Sequence, residues 1–238
     1  MGVRRRRVLA LPGLLCDDLV WAPQASALAE TADVTIADLT GLDDLTAMAE
    51  AALADVEGPL DVIGHSMGGR VAFEVWRLAP ERVASLVVLD TGVDPAGPTE
   101  PASRQRMLDI SATGDMAALA DAWLPMMVHP DRRSDAAFMQ PLREMVMRAT
   151  PAQHRRQIGA LLHRPDAAPL LTTITVPTLV VVGRQDEWSP VTQHERITES
   201  IPGARLEVIE DAGHMVTLEQ PEAVSALLGD WLSSLPDC

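Results

Sequence analysis

Short apolar runs alternate with helical patterns along most of the chain, and this alternation limits the possible folds more than any other feature. The runs are nearly continuous, as is typical of parallel strands that are buried on both faces. They predict six strands, at 8–11, 34–36, 60–63, 86–89, 178–182 and 206–209. Between them, apolar residues recur at helical spacing, clearly so in 45–56 and in 224–235, where Pro221 marks a helix start. This order predicts an α/β fold with a mostly parallel sheet.

One long segment interrupts the alternation. It opens on the loop-forming residues 94–98 and continues with helical stretches that contain no convincing strand. An insertion of this length between two core strands indicates a helical cap. We therefore expect residues 1–92 and 169–238 to form the core and residues 93–168 to form a cap, or lid, inserted in it.

Charge and cysteine content narrow the class of protein. The formal net charge of the 238 residues is −15, which disfavours binding to nucleic acid or to an anionic membrane surface. The basic run 4–7 is expected to be a solvated tail. Two cysteines, Cys16 and Cys238, do not make a disulfide framework, so a cytoplasmic location is expected. The sequence contains no run of 18 apolar residues, so no membrane span is expected.

A glycine-rich turn follows the strand predicted at 60–63 and precedes a helical pattern. Its residues are Gly64-His65-Ser66-Met67-Gly68-Gly69. This strand–turn–helix context is the one that a G-x-S-x-G nucleophile motif requires, because small neighbours let strand and helix approach each other. The alternative is a structural glycine turn. The context favours Ser66 as a catalytic nucleophile.

A serine nucleophile needs a base, and the base needs an orienting acid. Of six histidines, His214 lies just after the strand at 206–209, at the sheet edge where Ser66 is expected. Asp186 follows the strand at 178–182 and precedes His214 in the chain, the order expected of this architecture. Glu187 and Asp90 are alternative acids.

Acyl transfer also needs two donors for the oxyanion. The backbone N–H of Met67 is one candidate. The loop after the first strand supplies the other, with Leu14 preferred and Leu15 as the alternative. The alternative is a simple Pro-Gly turn at Pro12.

With these residues together, the chain resembles the α/β-hydrolase superfamily, in its small esterase and lactonase branch. The motifs appear in the family's order over nearly the whole chain, and the resemblance implies the triad Ser66, Asp186 and His214. It also implies an oxyanion hole at Leu14 and Met67. Pro12 stands where the family often has histidine. The family's N-terminal hairpin must be short or missing, and residues 38–41 replace a longer loop.

Four residues are candidates for the substrate pocket. They are His65, Trp123, Met126 and Met127. Methionine and tryptophan suit an adaptable apolar pocket, although plain helix packing explains most cap methionines. Arg164 could bind an acidic substrate, but a structural ion pair is the favoured interpretation.

Hydrolysis of a small-molecule carboxylic ester or lactone through an acyl-enzyme is the leading hypothesis. The same triad could serve a thioesterase, C–C hydrolase, menaquinone-pathway lyase, perhydrolase or acyltransferase. A non-enzymatic small-molecule receptor on this fold is a further alternative. We expect no cofactor and no metal, because His194-Glu195 lacks the second histidine of a zinc protease motif. The oligomeric state stays open.

Overall fold

A single parallel sheet of six strands organises the protein. The computed structural model describes residues 5–236. Every neighbouring pair of strands is parallel, and the order across the sheet is β2-β1-β3-β4-β5-β6. The strands are β1 (Arg6–Leu11), β2 (Ala32–Ile36), β3 (Leu60–His65), β4 (Val83–Leu89), β5 (Thr178–Gly183) and β6 (Arg205–Ile209). The prediction of a six-stranded, mostly parallel α/β sheet is confirmed, and no strand precedes β1 in the described part of the chain.

The strand order reverses beside β1. The chain runs outward from β1 to β2, then returns to the other side of β1 to form β3. Loops that leave β1 and β3 at their carboxyl ends therefore diverge, which opens a crevice between them. The loop beginning at Pro12 and the turn at Ser66 border this crevice.

Ten α-helices and several 3-10 turns connect the strands in residues 5–236. The first three helices are α1 (Ala22–Leu28), α2 (Leu45–Ala54) and α3 (Met67–Leu78). Between β4 and β5 lie α4 (Glu100–Ala112), α5 (Met116–Trp123), α6 (Ala136–Arg148) and α7 (Pro151–Leu162). The last three are α8 (Val191–Ser200), α9 (Val216–Glu219) and α10 (Pro221–Ser234). The 3-10 turns are Asp18–Trp21, Pro80–Arg82, Leu124–Met126, Pro130–Arg132 and Ala168–Thr173.

Local sequence explains where helices begin. Asp44 caps α2 by accepting a hydrogen bond from the N–H of Ala47 at 2.9 Å. Pro221 occupies the first turn of α10, where its missing N–H has no cost. The helical patterns predicted at 45–56 and 224–235 correspond to these two helices. The segment 93–168 contains helices and no strand, while its division from the core as a cap stays a prediction.

The central strands carry the hydrophobic core. All six residues of β3 are buried, as are those of β5, and both faces of each strand are covered. Trp21 and Phe73 are the bulkiest fully buried side chains. Burying a side chain of this size stabilises the folded protein by about 1.5–3 kcal/mol. Cys16 is buried as well, and Cys238 lies outside the described residues. No helix described for this chain is both long and apolar enough to cross a membrane.

The basic run at the N-terminus is not a solvated tail where the structure describes it. Arg6 starts β1, and its guanidinium makes two hydrogen bonds to Asp61, at 2.7 and 2.9 Å. Asp61 is buried in β3 and also accepts a bond from Ser85 at 2.7 Å. The expectation of a solvated tail was wrong for two reasons. The backbone hydrogen bonds of β1 continue past its apolar residues, and the buried Asp61 carboxylate needs a cation. Arg4 lies outside the described residues.

The Arg6–Asp61 pair gives a first prediction. Replacing Arg6 with methionine leaves the buried Asp61 carboxylate without its cation, so the free energy of unfolding should fall by about 3 kcal/mol. The matched control is Arg5→Met, because Arg5 pairs with Asp33 at 2.9 Å on the surface. The control should change stability by less than about 1 kcal/mol. Urea denaturation of both variants measures the difference, and equal losses would contradict a specific role of the buried pair.

Candidate active site

Ser66 occupies the sharp turn between β3 and α3, at the carboxyl edge of the sheet. Its φ of 55° and ψ of −114° are strained for a residue that carries a side chain. The N–H of Ser66 donates to the carbonyl of Leu89 at 2.9 Å, and the Ser66 carbonyl accepts from the Thr91 hydroxyl at 2.7 Å. These bonds attach the turn to the end of β4.

Two glycines allow the turn to sit against the loop after β1. A Cβ on Gly68 would overlap with the carbonyl oxygen of Leu11, so any larger residue would displace α3. A Cβ on Gly13 would lie 3.3 Å from Ser66 Cβ and 2.9 Å from His65 Nδ1. The loop after β1 is therefore in direct contact with the turn that carries Ser66.

A continuous chain of hydrogen bonds links Ser66, His214 and Asp186. Ser66 Oγ lies 2.7 Å from His214 Nε2, and His214 Nδ1 lies 2.8 Å from Asp186 Oδ2. Asp186 Oδ1 accepts the N–H groups of Trp188 and Ser189, each at 2.8 Å. Burial alone would raise the pKa of Asp186, but attraction to His214 and these hydrogen bonds lower it below the ordinary value. An ionised Asp186 requires a proton on Nδ1 of His214, which leaves Nε2 as the acceptor for the Ser66 hydroxyl.

The two alternative acids do not contact His214 Nδ1. The Glu187 side chain is mostly exposed and lies 3.7 Å from Arg133. Asp90 is fully buried, but its Oδ1 accepts the N–H of Gly183 at 2.9 Å and its Oδ2 that of Val216 at 3.3 Å. Burial and the nearby charge of Asp186 raise the pKa of Asp90. Asp90 thus joins the loops that carry the acid and the base.

Glu219 fixes the loop that carries His214. Its Oε1 accepts the N–H groups of Gly213 at 2.8 Å and Met215 at 3.2 Å, on either side of the histidine. Its Oε2 accepts the N–H of His129, in the segment between β4 and β5. Burial raises the pKa of Glu219, while the three N–H donors oppose that rise. One buried carboxyl therefore holds His214 and a neighbouring loop in register.

The predicted oxyanion donors border the cavity at Ser66. Leu14 and Met67 both line it. Met67 is the first residue of α3, so its N–H has no acceptor within the helix. The N–H of Leu15, the alternative donor, is directed elsewhere and donates to Gln157 Oε1 at 3.0 Å. Leu14 and Met67 therefore stay as the predicted pair.

His65 is not among the residues that line the cavity at Ser66, contrary to its expected place in the pocket wall. It belongs to β3 and is 1% exposed, and its Nε2 lies 2.7 Å from the carbonyl oxygen of His214. Because a carbonyl only accepts, Nε2 carries the proton. Burial, and next the charge of His214, lower the pKa of His65 to about 3, so the ring is neutral. The buried, neutral ring contacts the backbone of the loop that carries His214 instead.

The cavity at Ser66 has a volume of about 350 Å³. Trp123 and Met127, both predicted pocket residues, form part of its wall. Met126 instead borders an adjacent cavity of about 420 Å³ and is 40% exposed. Arg164 lines the first cavity, and it makes the expected structural pair, with Glu100 at 2.7 Å.

Sequence reasoning missed several polar residues of the site. Arg70 and Arg104 also line the cavity, and neither was a candidate. Arg70 could have been found, because it follows Ser66 by four residues and so lies in the first turn of the helix that the motif predicts. The roles of Asp90 and Glu219 had no signal in the sequence, because each depends on which backbone groups the fold brings together.

Comparison with known proteins agrees with this architecture. The model of the alpha/beta hydrolase family matches residues 6–227. The chain belongs to this family. A pimeloyl-[acyl-carrier protein] methyl ester esterase of Neisseria meningitidis is 30% identical over 201 residues, which are 82% of this chain but only 64% of that protein. The chain therefore spans less than two thirds of that relative.

Solved structures share the fold over nearly its full length. A thermophilic esterase from Thermogutta terrifontis, with malate bound, has a TM-score of 0.88 at 28% identity, covering 96% of this chain and 89% of that one. An enol-lactonase from Burkholderia xenovorans has a TM-score of 0.87 at 22% identity and covers 97% and 92% respectively, which shows the fold alone. The expected α/β-hydrolase fold is thus confirmed.

The position of Glu219 generates a prediction about the loop of the base. Glu219→Gln places an amide NH₂ against backbone N–H donors, so at least one buried bond is lost and stability should fall by about 1–3 kcal/mol. The matched control is Glu222→Gln, on the exposed face of α10, which should change stability by less than about 0.5 kcal/mol. Chemical denaturation gives the comparison. A Glu219 variant as stable as the control would show that the three N–H bonds do not hold the loop.

Proposed function

We propose that this protein is a serine hydrolase that cleaves a carboxylic ester or lactone through an acyl-enzyme intermediate. The observation that carries the proposal is the unbroken path from Ser66 Oγ through His214 to Asp186, with contacts of 2.7 and 2.8 Å. These lengths are those of a nucleophile and base already within proton-transfer reach. Helices of the segment 93–168 act as the cap that closes the cavity over Ser66.

The first half of the reaction forms the acyl-enzyme. His214 Nε2 takes the proton of Ser66 as Oγ attacks the carbonyl carbon of the ester. The carbonyl oxygen becomes an oxyanion, which the N–H groups of Leu14 and Met67 stabilise. His214 then gives its proton to the leaving alcohol oxygen. The C–O bond breaks, and the acyl group stays on Ser66.

The second half uses the same groups on water. His214 removes a proton from a water molecule, which attacks the acyl carbon, and returns that proton to Ser66 Oγ as the acid leaves. In both halves Asp186 stabilises the imidazolium and keeps Nδ1 protonated. His65 contributes by donating to the carbonyl of His214, which fixes the backbone of the base.

The Neisseria relative supports the ester as the substrate class, because its name describes a methyl ester esterase. The Thermogutta structure is also that of an esterase. Both support hydrolysis over the other reactions that a similar triad serves. The identity of the alcohol and the acid is not carried over from either protein.

The nucleophile is tested directly by Ser66→Ala. This variant should lose hydrolysis of a simple aryl ester by a factor on the order of 10⁴ or more, because no other hydroxyl is held on His214. A fluorophosphonate probe should label the wild type at Ser66 and leave the variant unlabelled, as read by intact mass. Ser233→Ala, an exposed serine of α10, is the control. A wild type that is neither labelled nor active would favour a binding protein on this fold.

The acid is tested by comparing Asp186 with its neighbour Glu187. In Asp186→Asn the amide oxygen stays with the N–H groups of Trp188 and Ser189, so the NH₂ faces His214 Nδ1 and favours the wrong tautomer, and kcat should fall by roughly 10⁴. Glu187→Gln removes only a mostly exposed charge and should lower kcat less than about tenfold. Steady-state kinetics on one aryl ester decides between them. The reverse order of losses would make Glu187 the acid.

A further inference from the structure

We infer that the cavity at Ser66 selects an ester that carries a second, anionic group, a carboxylate, and that Arg70 binds it. This inference rests on the proposed hydrolase function and names the substrate class of the same site. It starts from the placement of arginine in a strongly acidic chain. Three arginines line this one cavity, Arg70, Arg104 and Arg164.

Arg70 is positioned by the same turn that positions the nucleophile. It follows Ser66 by four residues, in the first turn of α3, and its N–H donates to the Ser66 carbonyl at 3.3 Å. Both line the cavity together with His214. A group held by Arg70 would therefore lie on the molecule that Ser66 attacks.

Arg70 has no carboxylate partner among residues 5–236. Its Nη1 donates to the backbone carbonyl of Asp94 at 3.0 Å, and no carboxylate oxygen of the described residues lies within ion-pair distance. Burial, and next repulsion from Arg164, lower the pKa of Arg70 to about 9, so it is still protonated at neutral pH. A partly buried guanidinium without a counter-ion retains donors that a bound anion can satisfy.

The neighbouring charges do not neutralise the cavity. Arg104 and Arg164 share the single carboxylate of Glu100, with contacts of 2.9 and 2.7 Å. Two cations on one anion leave an excess positive charge next to Arg70. Asp94 and Glu187 line the cavity too but are exposed to solvent, and burial raises the pKa of Asp90, the remaining acid of the lining. Asp186 is bound to His214, so its charge is already engaged.

The surroundings favour a carboxylate over a larger anion. A guanidinium fork matches the planar carboxylate with two parallel hydrogen bonds. Trp123, Met127 and Leu161 supply apolar wall for the carbon chain that joins this carboxylate to the ester. The fitting substrate is thus the monoester of a small dicarboxylic acid, with the ester carbonyl at Ser66 and the free acid at Arg70.

The test compares two esters that differ only in charge. Monomethyl adipate carries a free carboxylate, and the methyl ester of adipamic acid has a neutral amide in its place. Wild-type kcat/KM should favour the anionic ester by roughly tenfold or more, because a charge-assisted bond is gained. Arg70→Met should reduce that ratio at least about tenfold, and Arg70→Lys should restore part of it. Arg143→Met, which removes a partly exposed arginine of α6 that pairs with Asp121, should retain the wild-type ratio.

A binding measurement separates this inference from the proposed hydrolysis. Adipate is titrated calorimetrically into Ser66→Ala and into the double variant with Arg70→Met. If adipate binds to Ser66→Ala and the added Arg70→Met substitution abolishes that binding, the anion site is supported. This holds even if neither ester is hydrolysed, because the lack of hydrolysis would overturn only the proposed reaction. Hydrolysis of both esters at equal kcat/KM by the wild type overturns the inference and leaves the hydrolase standing. A competition experiment with inorganic phosphate tests the assignment to a carboxylate. If phosphate binds this site more tightly than adipate does, the assignment is overturned.

Discussion

The strained backbone at Ser66 is the constraint on which the rest of the site depends. A residue with a side chain stays at positive φ only when its surroundings leave it no alternative. Here the surroundings are β4, which binds the turn through Leu89 and Thr91, and the end of β1, against which Gly68 is packed. The strain is thus supported by the central part of the sheet. The same packing brings the loop after β1 against the nucleophile, so one close approach creates both the turn and its predicted oxyanion donors.

Buried carboxyl groups hold the remaining loops, and their environments separate their roles. Burial raises the pKa of Asp90 and of Glu219, which mainly contact backbone N–H groups. Burial acts on Asp186 in the same direction, yet attraction to His214 lowers its pKa. Three acids in one region therefore differ in what they do because they differ in their partners. Only the one beside the imidazole is suited to stabilise a positive charge during reaction.

For β1, β2, β4 and β6 the sequence predicted the carboxyl end of the strand and missed its amino end, whereas β3 and β5 start as predicted and end later. The runs at 8–11, 86–89 and 206–209 end where β1, β4 and β6 end, because apolar burial stops where the loops begin. These four strands start earlier than the runs, since the hydrogen bonds between strands are made by backbone groups and continue through polar residues such as Arg6. The prediction of a solvated tail at residues 4–7 was wrong for the same reason. The periodicity of the sequence shows which side chains are apolar, but it does not show that the buried Asp61 carboxylate needs a cation as its partner.

The site shows the same division between what a motif encodes and what only the fold supplies. Ser66, Asp186 and His214 each follow a strand, so topology alone brings them to one edge. His65 is next to Ser66 in sequence, but it is buried and does not line the cavity. Adjacency to Ser66 along the chain was therefore a poor guide to which residues line the cavity. The four-residue spacing from Ser66 to Arg70 would have been a better guide.

The helices inserted between β4 and β5 are joined to the reacting loops at two points. Gln157 of α7 accepts the N–H of Leu15, beside the predicted oxyanion donor, and also donates to the carbonyl of Leu39. Glu219 joins His129 to the loop of His214. The inserted segment also supplies Arg104 and Arg164 to the cavity wall. Because the same segment contacts the substrate cavity and both catalytic loops, a change that alters its packing acts on selectivity and on the geometry of Ser66 and His214 together. If the proposed function holds, substrate preference is therefore coupled to the core and is not an independent property of the insertion.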